Sequence, residues 1–132
     1  MSKIQAKIVV EILGTPKEHV EETMKKVVEK LKGEEGVQLL RETTYKAEQV
    51  KKMWSTFSDL EIEVETVLKL IGICFDYMPS SVDILEPHKL DLETTTVADL
   101  LNDLLAKLHK TDMMLKNAIA ENKWLKQQLP QK

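Results

Sequence analysis

Cysteine, glycine, proline and aromatic residues are all scarce in this sequence, and these shortages exclude several classes of protein. The chain of 132 residues has a single cysteine, Cys74, which cannot form an internal disulfide. It has no apolar run of about 18 residues that would span a bilayer, and its first residues lack the apolar core of a secretory signal. We therefore expect a cytoplasmic protein with no membrane partner.

The sequence also lacks a large excess of either charge. Charged residues make up 31% of the chain, and the net charge is -3 at pH 7. A surface that binds nucleic acid carries an excess of lysine and arginine. Tyr45 and Phe57 lie in predicted strands, but they lack the glycine-aromatic spacing of RNA-binding sheets. We therefore expect no nucleic-acid partner.

Residue types that carry catalysis or bind metals are isolated from one another. His19, His88 and His109 lie far apart in the sequence. His109 has a second candidate ligand at helical spacing, Asp112, and a solvated or ion-paired histidine explains that pair better than a metal site. Cys74 lies among apolar residues, as a core thiol does. The sequence therefore predicts no catalytic, cofactor-binding or metal-binding residue, and a protein that is not an enzyme.

The chain begins with a strand pattern that is followed by a helix pattern. Apolar and polar residues alternate over residues 4–12, which predicts a strand with one buried face. Gly14 interrupts the strand. Thr15 then provides a hydroxyl for an N-cap and Pro16 suits the first position of a helix. The helix is predicted to end at Gly33, because glycine readily adopts the left-handed conformation that terminates helices.

Strand and helix patterns then recur. Strand-forming residues predict a second strand over 37–47, and residues 48–54 are interpreted as a loop or a short helical turn. Alternation predicts a third strand over 57–65, and apolar residues at helical spacing predict a helix over 67–78. A short fourth strand is predicted at 82–85.

This order of elements predicts an α+β domain over residues 1–88, of the ferredoxin-like βαββαβ type, with both helices on one face of the sheet. The opposite face is then available to solvent or to a partner. The order resembles that of ACT-type regulatory domains, and this resemblance implies a small ligand at the turn formed by Gly14 and Thr15. The stretch from Ile8 to Glu21 also resembles small archaeal proteins of uncharacterised activity.

Residues 89–132 form the second predicted domain, a linker followed by a long amphipathic helix from about Val97 to Leu129. Thr96 and Asp99 have the spacing of a capping box at its start. Apolar residues then recur in steps of four and three, which is the heptad pattern of a coiled coil. The predicted association seam consists of Val97, Leu101, Leu104, Leu108, Leu115, Ala118, Asn122, Leu125 and Leu129, with Thr111 completing the series.

Two residues near the end of this helix have specific interpretations. Asn122 occupies an a position of the heptad, and in this pattern the helix resembles leucine-zipper dimers, where a buried asparagine fixes register and strand number. Trp124 falls outside the seam. We interpret it either as a contact residue for a partner or as a tryptophan that packs on its own domain or stays partly exposed.

These patterns favour a non-enzymatic module that associates through its sheet face and its C-terminal helix. The expected partner is a second copy of the chain in a homo-oligomer. The alternative partner is a different protein that binds the C-terminal helix. The alternative function is a regulatory domain that senses a small molecule at the Gly14 and Thr15 turn. No cofactor is expected in either case.

Overall fold

The computed structural model describes residues 3–130, which divide into two compact units, the first ending at Leu90 and the second beginning at Asp91. The first unit is α+β, and the second contains one long helix. In chain order the elements are β1 Ile4–Gly14, α1 Lys17–Lys32, β2 Val37–Thr44, β3 Glu48–Val50, β4 Met53–Val64, α2 Val67–Tyr77, β5 Ser81–Glu86 and α3 Thr94–Gln127. The α+β class and the long C-terminal helix predicted from the sequence are therefore confirmed.

The strands form one antiparallel sheet with the order β2-β4-β1-β5. Strand β1 pairs with β4 over its whole length, from Ile4 opposite Val64 to Gly14 opposite Trp54. The short strand β3 pairs with the beginning of β4 and lies off the main order. The sheet is thus built on β1 and β4, and β2 and β5 flank them on opposite sides.

The core lies between one face of this sheet and the two helices of the first unit. Alternate residues of β1 and β4 face the helices, as the period of two predicts. Helix α1 contributes Met24, Val28 and Leu31 to this core, and α2 contributes Leu70 and Ile73. The strand residues of the same buried cluster are Ile4, Ala6, Ile8, Val10, Leu60, Ile62 and Val64. Both helices therefore cover the same face of the sheet.

The segment from 48 to 54 differs from its prediction as a loop or a helical turn. Residues 48–50 form β3, Lys51 and Lys52 form the turn, and β4 begins at Met53 rather than at Phe57. Lys51 adopts a φ of 57°, which allows the chain to reverse within this short turn. The physical reason for the difference is pairing, because β3 gains its backbone hydrogen bonds only from β4.

Three predicted helix boundaries were wrong. Pro16 rather than Thr15 is the N-cap of α1, and no side chain caps it. Helix α3 starts at Thr94 with Glu93 as its N-cap, so Thr96 lies inside the first turn and does not begin a capping box. Leu129 lies beyond the last helical residue, Gln127, because Pro130 disfavours helical backbone in the residue before it.

Within residues 3–130, no helix is both long enough and apolar enough to cross a bilayer.

Candidate functional site

The most conspicuous surface of the second unit is an apolar stripe along α3. The helix has 34 residues, which corresponds to a length of about 51 Å at 1.5 Å per residue. Leu100 is buried and Leu104 is half-buried, whereas most of the predicted seam is exposed. Leu108 is 50% exposed and Leu115 is 57% exposed. The exposed members of the seam are Val97, Leu101, Leu108, Leu115, Ala118, Asn122 and Leu125, and Leu129 is exposed beyond the helix end.

Charged residues flank this stripe on α3. The Nζ atom of Lys107 lies 3.8 Å from the Oδ2 atom of Asp103, and the Nζ atom of Lys116 lies 2.9 Å from the Oδ2 atom of Asp112. Both are pairs separated by four residues, which stabilise an exposed helix by a few tenths of a kcal/mol each. The helix is thus amphipathic, and its polar faces contain ion pairs of the kind found on solvated helix surfaces.

Trp124 and Met113 lie about half a turn away from the seam, on the other side of α3. Their side chains are 58% and 64% exposed, respectively. The two residues are eleven positions apart, which is close to three complete turns, so they share one face. Helix α3 therefore has two distinct exposed apolar features, a continuous seam and a smaller patch opposite to it.

The face of the sheet opposite the helices is dominated by a row of alternating charges. Register places Lys7 of β1 between Glu61 of β4 and Asp83 of β5, and Arg41 of β2 lies opposite Glu61 on its other side. Side chains directly opposite each other on antiparallel strands are neighbours and stabilise the sheet when their charges differ. Register therefore places residues of alternating charge side by side along the central row of this open face.

One end of the open face forms a shallow pocket of about 270 Å³. The Oγ atom of Ser55 donates a hydrogen bond of 3.1 Å to a carboxylate oxygen of Glu11 in its wall. The hydroxyl of Tyr45 donates to a carboxylate oxygen of Asp59 at 3.1 Å, and this bond raises the pKa of Tyr45. The pocket is lined by Glu11, Tyr45, Lys46, Glu48, Val50, Ser55 and Phe57.

The predicted ligand turn lies outside this pocket. Gly14 ends β1 opposite Trp54, and neither Gly14 nor Thr15 lines the pocket. The Nζ atom of Lys17, at the start of α1, lies 5.3 Å from the centre of the Trp54 ring, within the range of a cation–π contact. Sequence reasoning did not assign Glu11, Ser55 or Glu48 to any site. The only signal for the pocket was the pair of strand aromatics, Tyr45 and Phe57.

A second polar cluster joins the loop after α1 to α2. The hydroxyl of Tyr77 donates to the Oε1 atom of Glu34 at 2.8 Å, and the Nζ atom of Lys69 lies 3.3 Å from the Oε2 atom of Glu34. The hydrogen bond from Tyr77, followed by the bond from Lys69, lowers the pKa of Glu34. Burial and the bond to Glu34 raise the pKa of Tyr77. Because these groups satisfy one another, the cluster fits a structural role.

The remaining candidates for chemistry stay dispersed in the structure. His19 lies on α1, His88 follows β5 and His109 lies on α3. Cys74 is half-buried on α2, where burial raises the pKa of its thiol and so disfavours the reactive thiolate. Among residues 3–130, no three histidine, cysteine or acidic side chains form a group that could hold a metal ion.

A family model matches almost the whole chain. Residues 5–131 match the model of a family described as the MJ0538 family. This archaeal-named family is in keeping with the resemblance of the segment from Ile8 to Glu21 to small archaeal proteins. No curated protein matches the chain at a significant level.

Proposed function

The chain belongs to the MJ0538 family, and we propose that it is a non-enzymatic association module that forms a homo-oligomer through α3. The open face of its sheet is proposed as a second, weaker contact surface. The observation that carries the proposal is the exposed apolar seam of α3, which continues from Leu101 to Leu125.

The seam supports association because its exposure is costly. Burying a leucine side chain is favourable by about 1.5–3 kcal/mol. Helices in proteins also gain most of their stability from packing of the apolar face rather than from helix propensity. Leu108, Leu115 and Leu125 are about half exposed or more. Pairing with another helix would bury all three and supply the missing packing.

The sheet face supports a different kind of contact. Its central row contains Arg41, Glu61, Lys7 and Asp83, so it presents alternating charges rather than an apolar patch. Exposed ion pairs contribute little affinity, typically below about 1 kcal/mol each. We therefore assign the binding energy to α3 and expect the sheet face to influence orientation and salt dependence more than affinity.

The proposal can be tested by light scattering coupled to size-exclusion chromatography on the full chain, over a series of protein concentrations. The wild type is expected to elute as an oligomer. A variant with Leu108→Glu and Leu115→Glu is expected to be monomeric, because charges in the seam oppose burial. The matched control is Met113→Glu, since Met113 is as exposed but lies on the other side of α3. This control should remain oligomeric.

Circular dichroism should show that all three proteins keep the folded α+β unit. A wild type that is monomeric at every concentration would contradict the proposal. Equal dissociation of the seam variant and the Met113→Glu control would also contradict it, because the effect would then come from charge on the helix rather than from the seam.

We also propose that the first unit is ferredoxin-like, and the strand pairing supports this assignment. Strands β1 and β2 both pair antiparallel with β4, so they are parallel to each other, are joined through α1 and are separated by β4. Strands β4 and β5 have the same relationship around β1, and α2 connects them. These are two split βαβ units. An experimental structure that placed α1 and α2 on opposite faces of the sheet would contradict the assignment.

The second candidate function is small-molecule sensing, as in the ACT-like alternative, and the pocket at Tyr45 and Phe57 is the observation that favours it. Its wall combines two aromatic rings with two carboxylates, those of Glu11 and Glu48, and one cation, Lys46. Rings and carboxylates together suit a ligand with an ammonium group. The site in this proposal is therefore the pocket rather than the turn of Gly14 and Thr15.

Thermal unfolding in the presence of amino acids, small amines, nucleotides and divalent cations tests this candidate, because a ligand that binds only the folded state raises the melting temperature. We expect amines to have the largest effect and Phe57→Ala to abolish it. Thr15→Ala serves as the matched control, which should leave the response intact. A response that disappears in the control, or no response to any compound, would contradict the candidate.

A further inference from the structure

We infer that the partner of α3 is a second copy of α3 bound in parallel and in register. This inference rests on the proposed self-association and adds its geometry. In a parallel pair each g residue faces the e residue five positions later on the second copy. The helix supplies three such pairs beyond its first two turns, namely Lys107 with Asp112, Met114 with Ile119 and Glu121 with Lys126.

Each of these pairs is complementary. Lys107 faces an aspartate and Glu121 faces a lysine, so a symmetric dimer gains four attractive contacts. Met114 faces Ile119, and both are exposed apolar residues in the single chain. Opposite charges therefore meet at both of the charged g and e pairs that border the seam. Complementary e and g residues are the features that determine partner and orientation in coiled coils.

The polar residue in the seam favours the same arrangement. In a parallel, in-register pair Asn122 faces Asn122 of the second copy, so the two amides can hydrogen-bond to each other. An unpartnered amide buried among leucines would cost stability. The leucines at positions 101, 108 and 115 likewise face their own copies in the other a layers.

The antiparallel arrangement with full overlap fits less well. In this arrangement the two helices run in opposite directions, with Val97 of one copy opposite Leu129 of the other. Asn122 then faces Leu104 of the second copy. It also places Asp112 opposite Asp112 on the border of the seam. Lys107 and Glu121 still attract each other in this arrangement. The antiparallel pair thus has one repulsive contact and two unpartnered amides, and the parallel pair has neither.

Disulfide trapping on the full chain tests the orientation. Cys74 is first replaced by Cys74→Ala, and single cysteines are then introduced by Leu108→Cys or Ala118→Cys. In a parallel, in-register dimer each position faces itself, so both variants should form disulfide-linked dimers in a glutathione redox buffer. An antiparallel dimer can bring at most one position opposite itself, because the two sites are ten residues, or about 15 Å, apart along the helix.

Each outcome of the trapping experiment is decisive. Self-linked dimers of both variants, in excess of those formed in urea, are the expected result. Preferential linkage between Leu108→Cys and Ala118→Cys chains in a mixture would overturn the inference, since it is the antiparallel result. No linkage above the urea control would overturn it too. If the wild type is monomeric in light scattering, the proposed function itself fails, and the two failures are therefore distinguishable.

A charge reversal at Glu121 and Lys126 provides an independent measurement. Neither residue belongs to an ion pair of the single chain within residues 3–130. Glu121→Lys and Lys126→Glu should each raise the dissociation constant by roughly tenfold, because each variant replaces two attractive contacts with two repulsive ones. The double variant restores opposite charges and should return to within about twofold of the wild type. Additive effects in the double variant would overturn the inference.

Discussion

The hydroxyl of Tyr77 at the end of α2 donates a 2.8 Å hydrogen bond to the Oε1 atom of Glu34, which lies in the loop between α1 and β2. Lys69 reaches the other carboxylate oxygen from the first turn of α2. The Nζ atom of Lys30 lies 5.6 Å from the centre of the Tyr77 ring. The carboxylate of Glu34 therefore joins the loop after α1 to both ends of α2.

This cluster predicts that stability falls at low pH. Hydrogen bonds from Tyr77 and Lys69 lower the pKa of Glu34 below its ordinary value of 4.5. A carboxyl whose pKa is lower in the folded state stabilises the fold above its unfolded pKa, and this contribution is lost as the pH falls through the folded pKa. Urea unfolding between pH 7 and pH 3 should show a steeper loss for the wild type than for Glu34→Gln.

The matched control for this prediction is Glu35→Gln, because Glu35 is the exposed neighbour of Glu34 in the same loop. It should keep the pH dependence of the wild type. Tyr77→Phe should lower the free energy of unfolding at pH 7 by removing the hydroxyl donor while keeping the ring. Identical pH profiles for the wild type and Glu34→Gln would show that Glu34 does not carry the acid sensitivity.

Alanine substitutions at two glycines are expected to change the stability of the protein in opposite directions. Gly36 adopts a φ of 80°, in the left-handed region, and a Cβ atom there would meet nothing closer than 3.9 Å. The cost of Gly36→Ala is therefore conformational, about 1–2 kcal/mol. Gly72 lies inside α2, and a Cβ atom there would have no neighbour within 4 Å. Gly72→Ala should therefore stabilise the protein by about 0.5–1 kcal/mol.

Chemical denaturation of the two glycine variants checks both predictions at once. The midpoint should decrease for Gly36→Ala and increase for Gly72→Ala, with unchanged slopes. A decrease for both variants would mean that α2 needs glycine at position 72 for packing that the described residues do not provide.

Reversing the charge at the centre of the charged row on the open face is expected to lower the stability of the fold. Lys7 lies between Glu61 and Asp83, so Lys7→Glu puts three acidic residues side by side on neighbouring strands. Each cross-strand pair contributes about 0.2–1 kcal/mol, and like charges are unfavourable. We expect Lys7→Glu to destabilise the fold by roughly 1–2 kcal/mol, with partial recovery in high salt.

Lys7→Gln is the control for this charge reversal, because it keeps the length of the side chain nearly unchanged and removes only the charge. Its effect on the free energy of unfolding should be less than half that of Lys7→Glu. Equal effects of the two variants would indicate that the aliphatic stem of Lys7, rather than its charge, stabilises the sheet.

Trp124 is predicted to stay accessible when the protein associates. It lies outside the seam of α3 and is 58% exposed. The Trp54→Phe variant leaves Trp124 as the single tryptophan, and acrylamide should quench its fluorescence strongly at low and high protein concentration. Trp124→Phe leaves only the half-buried Trp54, which should be quenched less. Protection of Trp124 at high concentration would place it in the interface between copies.

Local patterns in the sequence predicted the helices and strands, because buried apolar residues recur every second residue in a strand and every three or four residues in a helix. Alternation from Ile4 to Ile12 predicted β1, and helical spacing predicted α2 within one residue of its observed end at Tyr77. The start of α3 was less predictable, because Glu93 at the N-cap makes no side-chain hydrogen bond. Its end at Gln127 was overestimated by two residues, because the effect of Pro130 on the residue before it was not taken into account.

The sequence by itself determined the secondary structure of the long strands and helices and the heptad seam of α3, since each depends on residues that are close along the chain. Tertiary structure alone decided the pairing of β3, the charged row centred on Lys7 and the pocket between Glu11 and Tyr45. These features join residues that are distant along the chain, such as Lys7 and Glu61. Their proximity depends on strand register, which no local pattern specifies.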